Sequence, residues 1–197
     1  MRLHRLLPAA TVALAAGLAL AACSSPSEAE PEYDVIDVGS APAEATAPGT
    51  TLKIGETAWI LDEDSGQLVG TTVREVRELD PDAIEGFADN DDFAGYTPYA
   101  VVTQSDADQV SPIDVLPIDE AGETTSWMGS TIGNAAMGDA DACGIALPES
   151  TSTVSLQCFV ALSKTGPVVG AVYNGSERDD FFADSDHPFA ATPITWR

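Results

Sequence analysis

Residues 154–162 read VSLQCFVAL and residues 168–174 read VVGAVYN, joined by SKTGP at 163–167. In the first run Val154, Leu156, Cys158 and Val160 fall on one side and Ser155 and Gln157 on the other. Period-two alternation of β-branched and apolar residues around a Gly-Pro turn predicts two strands, paired as a hairpin. Working outward, the other apolar runs are equally short and are punctuated by Gly, Pro, Asp and Ser, the pattern of an all-β domain. They predict further strands at Leu52–Leu61, Leu68–Leu79, Tyr99–Thr103, Ile113–Ile118, Ser126–Ile132 and Ile194–Trp196. The two runs quoted first become Thr153–Leu162 and Val168–Tyr173 in this scheme.

One of these strands needs a repair. Val73, Val76 and Leu79 are three apart, so a regular strand would turn Val76 to the opposite face from its neighbours. An inserted residue, a β-bulge, restores the phase. Immediately after it, DPDAIEGF at 80–87 predicts one short helical turn, with Asp80 as cap, Pro81 in the first turn and Gly86 at the exit.

The chain has 197 residues, with 8 Lys and Arg against 32 Asp and Glu, for a net charge of −24. That balance excludes nucleic acid as a partner, because Lys and Arg on phosphates dominate such affinity. It also disfavours adsorption to anionic headgroups. Residues 24–51 are rich in Pro, Ala, Glu, Ser, Thr and Gly and predict a flexible tether, with a root-mean-square span of roughly 30 Å. Within it, YDVIDV at 33–38 departs from the composition and is either loosely ordered or paired with a sheet edge. Residues 52–197 then form a single domain, expected to be monomeric.

The N-terminus explains how such a domain is held at a surface. Arg2 and Arg5 precede an uncharged stretch from Leu6 to Ala22 that contains Pro8, Thr11, Gly17 and much alanine. It is shorter than the about 20 apolar residues that a span of a roughly 30 Å core requires, and has the layout of a secretory signal, residues 1–22. Leu20-Ala21-Ala22-Cys23 resembles the lipobox of bacterial lipoproteins. The resemblance implies cleavage before Cys23 and a diacylglyceryl group on its sulfur, anchoring the chain to the outer face of the cell membrane. Two acyl chains at about 0.8 kcal/mol per buried CH₂ hold a protein stably at a bilayer. With Cys23 lipidated, Cys143 and Cys158 are the two remaining cysteines, and an exported chain oxidises them to a disulfide.

Catalytic chemistry finds little to work with. His187 is the only histidine beyond the leader, in DSDHPF, and no G-x-S-x-G or phosphate loop occurs. No cofactor is expected, with calcium as the one ionic candidate, at Asp89, Asp91 and Asp92. An EF-hand loop begun at Asp89 would put Phe93 at position five and Gly95 at seven, so that motif is not met. Further acids cluster at Asp139 with Asp141, and at Asp179, Asp180, Asp184 and Asp186. Among aromatics, Trp59 and Trp196 lie in apolar strand contexts that predict core positions, while Trp127 in TTSWMGST is the candidate for a binding surface.

LKIGETA at 52–58, GYTPYAVV at 95–102, the two spaced cysteines and a closing TPITW at 192–196 resemble small actinobacterial lipoproteins. These carry an immunoglobulin-like β-sandwich domain of unknown function. The resemblance implies that fold and an extracytoplasmic location, and carries over no catalytic residue. Where the group runs into an Asn-containing turn, this chain has an acidic loop in VVTQSDADQV, and the antibody order Cys…Trp…Cys is absent. The sequence therefore favours a lipid-anchored, non-enzymatic binding domain for an unknown envelope or extracellular ligand. The alternatives are an envelope hydrolase using paired carboxylates and a solute-binding component of a transporter.

Overall fold

A computed structural model describes residues 34–63, 65–84, 86–106, 113–127, 143, 153–175 and 186–197. Among them are nine strands: β1 (Thr51–Leu52), β2 (Thr57–Leu61), β3 (Leu68–Glu78), β4 (Thr97–Asp106), β5 (Leu116–Asp119), β6 (Ser126–Trp127), β7 (Val154–Ser163), β8 (Val168–Tyr173) and β9 (Ile194–Trp196). They form two sheets, one ordered β1-β9-β8-β5 and the other β2-β3-β4-β7-β6. All neighbours are antiparallel except β1 and β9. Lettered A to G in chain order, β3 to β9 place A, B, E and D in one sheet and C, F and G in the other. That is the immunoglobulin constant-type arrangement, with β2 added beside A and β1 beside G.

The predicted hairpin is not formed, although both of its strands are. β7 is flanked by β4 and β6, and β8 by β5 and β9, so SKTGP arches from one sheet to the other. The physical reason lies in the side of β7 that the alternation left unexamined. Phe159 and Ala161 face the core between the sheets, where they join Ala171 and Val172 of β8. Stacking the two strands buries apolar side chains of both in one cluster between the sheets, which lying side by side would not. Pro167 at the head of β8 also has no N–H to continue a ladder across the turn.

Leu52–Leu61, expected as one strand, is two. Glu56 N–H donates to the Lys53 carbonyl at 3.0 Å, and Gly55 turns the chain at φ +93°. β1 and β2 consequently enter opposite sheets. The bulge in β3 is present: its register with β4 shifts between Val73 and Glu75. Val73 is fully buried between the sheets and Val76 packs on the same cluster. Arg74, the extra residue, turns outward.

A second apolar cluster covers the outside of β4 and β7. Ala100, Val102, Cys158, Val160 and Leu162 form its floor, and Leu79, Ile84, Phe87 and Phe93 from the β3–β4 connection form its roof. Phe87 and Phe93 stack with ring centroids 4.8 Å apart. The predicted helical turn is a 3-10 turn at Pro81–Ala83 capped by Asp80, whose carboxylate accepts from Asp82 N–H. A second 3-10 turn, Asp91–Phe93, was not foreseen; Asn90 caps it. Both turns lower Phe87 and Phe93 onto the sheet.

Part of the expected tether is fastened to the domain. The buried Gln104 amide accepts from Ile36 N–H at 3.0 Å and donates to the Ile36 carbonyl at 2.8 Å, as a neighbouring strand would. Arg74 donates to Gln104 Oε1 at 2.7 Å and to the Asp34 carbonyl at 3.0 Å. Gln104 also donates to Asp106 at 2.7 Å. Burial pushes the Asp106 carboxyl above its usual range; Gln104 and Arg74 oppose this, and Asp37 adds to it. Farther along, Thr46 N–H donates to the Trp59 carbonyl at 2.7 Å and its hydroxyl accepts from Trp59 N–H at 2.8 Å. Thr46 thereby blunts the free edge of β2. Of YDVIDV, the described residues 34–38 thus lie over a sheet face, held through a side chain, rather than along a sheet edge; Tyr33 lies outside the described residues.

Replacing Gln104 by alanine strands the Ile36 peptide groups and Arg74, each lost part-buried bond costing about 1 kcal/mol. Hydrogen exchange at Ile36–Val38 is expected to accelerate at least about tenfold, with β4 and β7 still protected. Unchanged exchange at Ile36 would show that other contacts hold the arm.

Candidate functional site

The β5–β6 connection is a small, self-supported lip. Asp119 Oδ1 accepts from Ala121 N–H at 2.9 Å and from Glu123 N–H at 3.0 Å. Asp119 and Glu123 also exchange a backbone bond at 3.0 Å, and Gly122 makes the reversal at φ +84°. Facing it across a cleft is the β7–β8 arch, where Lys164 Nζ sits 4.1 Å from the centroid of the Tyr96 ring. The Thr165 hydroxyl reaches Asp119 Oδ2 at 3.5 Å and bridges the two walls. The cleft is open, about 420 Å³ in volume, and also lined by Thr124, Thr125, Ser126 and Ser163. Thr125 Oγ1 is a buried hydroxyl with no hydrogen-bond partner. Leu162 closes the floor.

This lining carries both signs of charge in one place. Asp119 and Glu123 bring acceptors, Lys164 brings donors, and the Ser and Thr side chains can do either. Asp119 is held in place by backbone N–H groups before any ligand arrives, so its second oxygen is pre-aimed. In the antiparallel lettering above, the cleft lies where the A–B, C–D and E–F connections meet.

The residues singled out in the sequence scatter elsewhere. Cys143 and Cys158 are bonded, S–S 2.11 Å, and both are buried in the outer cluster. Asp91 and Asp92 are exposed in the second 3-10 turn, and Asp89 just precedes it. Among the described residues no group of three or more His, Cys, Asp or Glu is placed to hold a metal ion. Cys23, Asp139, Asp141, Asp179, Asp180 and Asp184 lie outside the described residues. The backbone of Trp127 pairs with Ala161 in β6, one residue beyond the cleft lip at Ser126.

Trp196 is in the core as expected, fully buried, with Nε1 donating to the Glu56 carbonyl at 2.9 Å. Trp59 is not: it is half-buried, because Ala58 and Ile60 take the inner face of β2 and leave its ring on the outer face over Gly70. His187 is spent on packing. Its ring lies edge-on to Tyr173, centroids 6.1 Å apart, and tilted against Phe189 at 5.5 Å. Its Nδ1 accepts from Phe189 N–H at 3.3 Å, and Glu63 lies 3.8 Å from Nε2. Burial, then the Glu63 and Asp62 carboxylates, push the Tyr173 hydroxyl above its usual range.

Tyr96 is one of the aromatics the sequence offers for a binding platform; Asp119, Glu123 and Lys164 were missed. They come from two separate connections, and no spacing in the sequence links them. No protein-family model, curated protein or solved structure matches this chain.

Proposed function

We propose that the chain is a lipoprotein of the bacterial envelope, related to the small actinobacterial lipoproteins it resembles. In this reading diacylated Cys23 holds an immunoglobulin-like binding domain at the outer face of the membrane. The observation that carries it is the pairing of Cys143 with Cys158. A disulfide between buried sulfurs belongs to an oxidising compartment, and it leaves no second cysteine of this chain for Cys23 to pair with. The leader then supplies export and the thiol supplies the anchor. Among the described residues no helix is long and apolar enough to cross a membrane.

The domain binds rather than catalyses. A carboxylate pair that hydrolyses needs one member desolvated so that it stays protonated. In the cleft Glu123 is exposed and Asp119 spends one oxygen on two N–H groups. Such carboxylates are suited to accepting hydrogen bonds from a ligand.

Expression with a clickable fatty acid, followed by fractionation and intact mass, tests the anchor. The wild-type chain is expected in the membrane fraction, labelled and shortened by residues 1–22. Cys23→Ser is expected to lose the label completely and to remain uncut. Label persisting in Cys23→Ser, or a wild-type chain that keeps an unmodified leader, would refute the proposal.

A further inference from the structure

We propose that the cleft between the Asp119–Thr125 lip and Lys164 is a binding site for a neutral saccharide, an inference that rests on the binding-module reading above. The selection follows from the lining. An anion meets the carboxylates of Asp119 and Glu123, and a cation must share the lining with the Lys164 ammonium. A neutral polyol faces neither conflict, and its hydroxyls can donate to the carboxylates while accepting from the ammonium.

The rest of the wall agrees with this. Thr165 makes only a long contact of 3.5 Å, and Thr124 and Ser126 add their hydroxyls to the lining, so hydrogen-bonding capacity is left over at the cleft. The Tyr96 ring gives an apolar face for sugar C–H groups once Lys164 swings aside, and an exposed cation–π contact costs only about 0.5–1 kcal/mol to release. An apolar ligand would leave these charges and hydroxyls unpaired. The two lips are rigid for different reasons: Asp119 is fixed by backbone N–H groups, and the arch by the sheets that β7 and β8 belong to.

The test is a titration of the purified full chain in a detergent without a sugar headgroup, read by amide NMR shifts. The probes are chitotetraose and maltotetraose as neutral saccharides, spermidine as a cation and citrate as an anion. A neutral saccharide is expected to shift the amides of 119–126 and 162–165 saturably, with no loss at high salt. Glu123→Ala and Lys164→Met are each expected to weaken it about tenfold, and Glu44→Gln to leave it unchanged. The amide spectrum of each variant shows that it is folded. The site is refuted if neither saccharide moves those amides, or if spermidine or citrate moves them more strongly and salt abolishes the effect. The mass of the same sample reports the state of Cys23, so failure of the saccharide site and failure of the anchor are read separately.

Discussion

Gly170→Ala is expected to lose about 4 kcal/mol of stability, at the upper end for a single added methyl group. Gly170 sits in the middle of β8, between β5 and β9. A Cβ there would overlap the Trp196 carbonyl oxygen and come within 3.0 Å of the carbonyl carbon. Both are backbone atoms, so no rotamer change relieves the contact; β9 itself must move. β9 holds β1 on its far edge and carries Trp196, whose indole reaches across to the Glu56 carbonyl. Displacing it loosens the core and the tie between the sheets together. Gly55→Ala is the control: its φ of +93° strains an L-residue by about 1 kcal/mol, yet nothing lies within 4 Å of the new methyl. Thermal unfolding followed by circular dichroism should show the Gly170 variant melting roughly 10 °C or more below wild type, and well below the Gly55 variant. Equal losses in the two would mean that β8 and β9 do not approach this closely.

Strand positions were legible because period two and β-branched residues are local signals. The bulge in β3 was legible for the same reason: Val73 and Val76 could share a face only if a residue between them were extra, and the structure makes that residue Arg74. Pairing was not legible. Whether β7 lies beside β8 or over it depends on β4 and β6, which arrive from elsewhere in the chain. Burial on both faces of β7 was likewise hidden, since its second cover comes from Ile84, Phe87 and Phe93, far back in sequence. Gln104 fell within VVTQSDADQV, read as an acidic loop, because an amide that pairs with a distant peptide has no local signature.

The cysteine pair was legible by parity once Cys23 was set aside, and the structure forms that bond. The cleft was legible only at its margin. Its lip reaches Ser126, the neighbour of Trp127, and SKTGP on the facing wall reads as a turn and nothing more. Lys164 and Thr165 belong to SKTGP, and Asp119 and Glu123 to the turn after Ile118; each is an ordinary turn residue until the sandwich brings the two connections face to face.

Removing the Cys143–Cys158 bond, as the double alanine variant or by reduction, is expected to cost about 3 kcal/mol. The bond closes a sequence separation of 15, and in the chain-entropy account its contribution is the freedom it denies the unfolded chain. The native state has its own stake. Cys143 and Cys158 are only 1% and 3% exposed, and the Cys143 carbonyl accepts from Arg77 at 2.8 Å. The cross-link therefore fixes a distant segment on the outer cluster beside Val102 and Val160. Alanine at both positions fills most of the same apolar space, so the loss measured is chiefly that of the covalent constraint. The melting midpoint should fall by roughly 6–12 °C, and reductant should lower the wild-type chain to the same value while leaving the double variant unmoved. Because both sulfurs are covered, reduction of the folded chain requires the outer cluster to open first, and its rate should rise in mild denaturant. A double variant melting within about 2 °C of wild type would show that the loop is already held by its other contacts and that the bond adds no stability of its own.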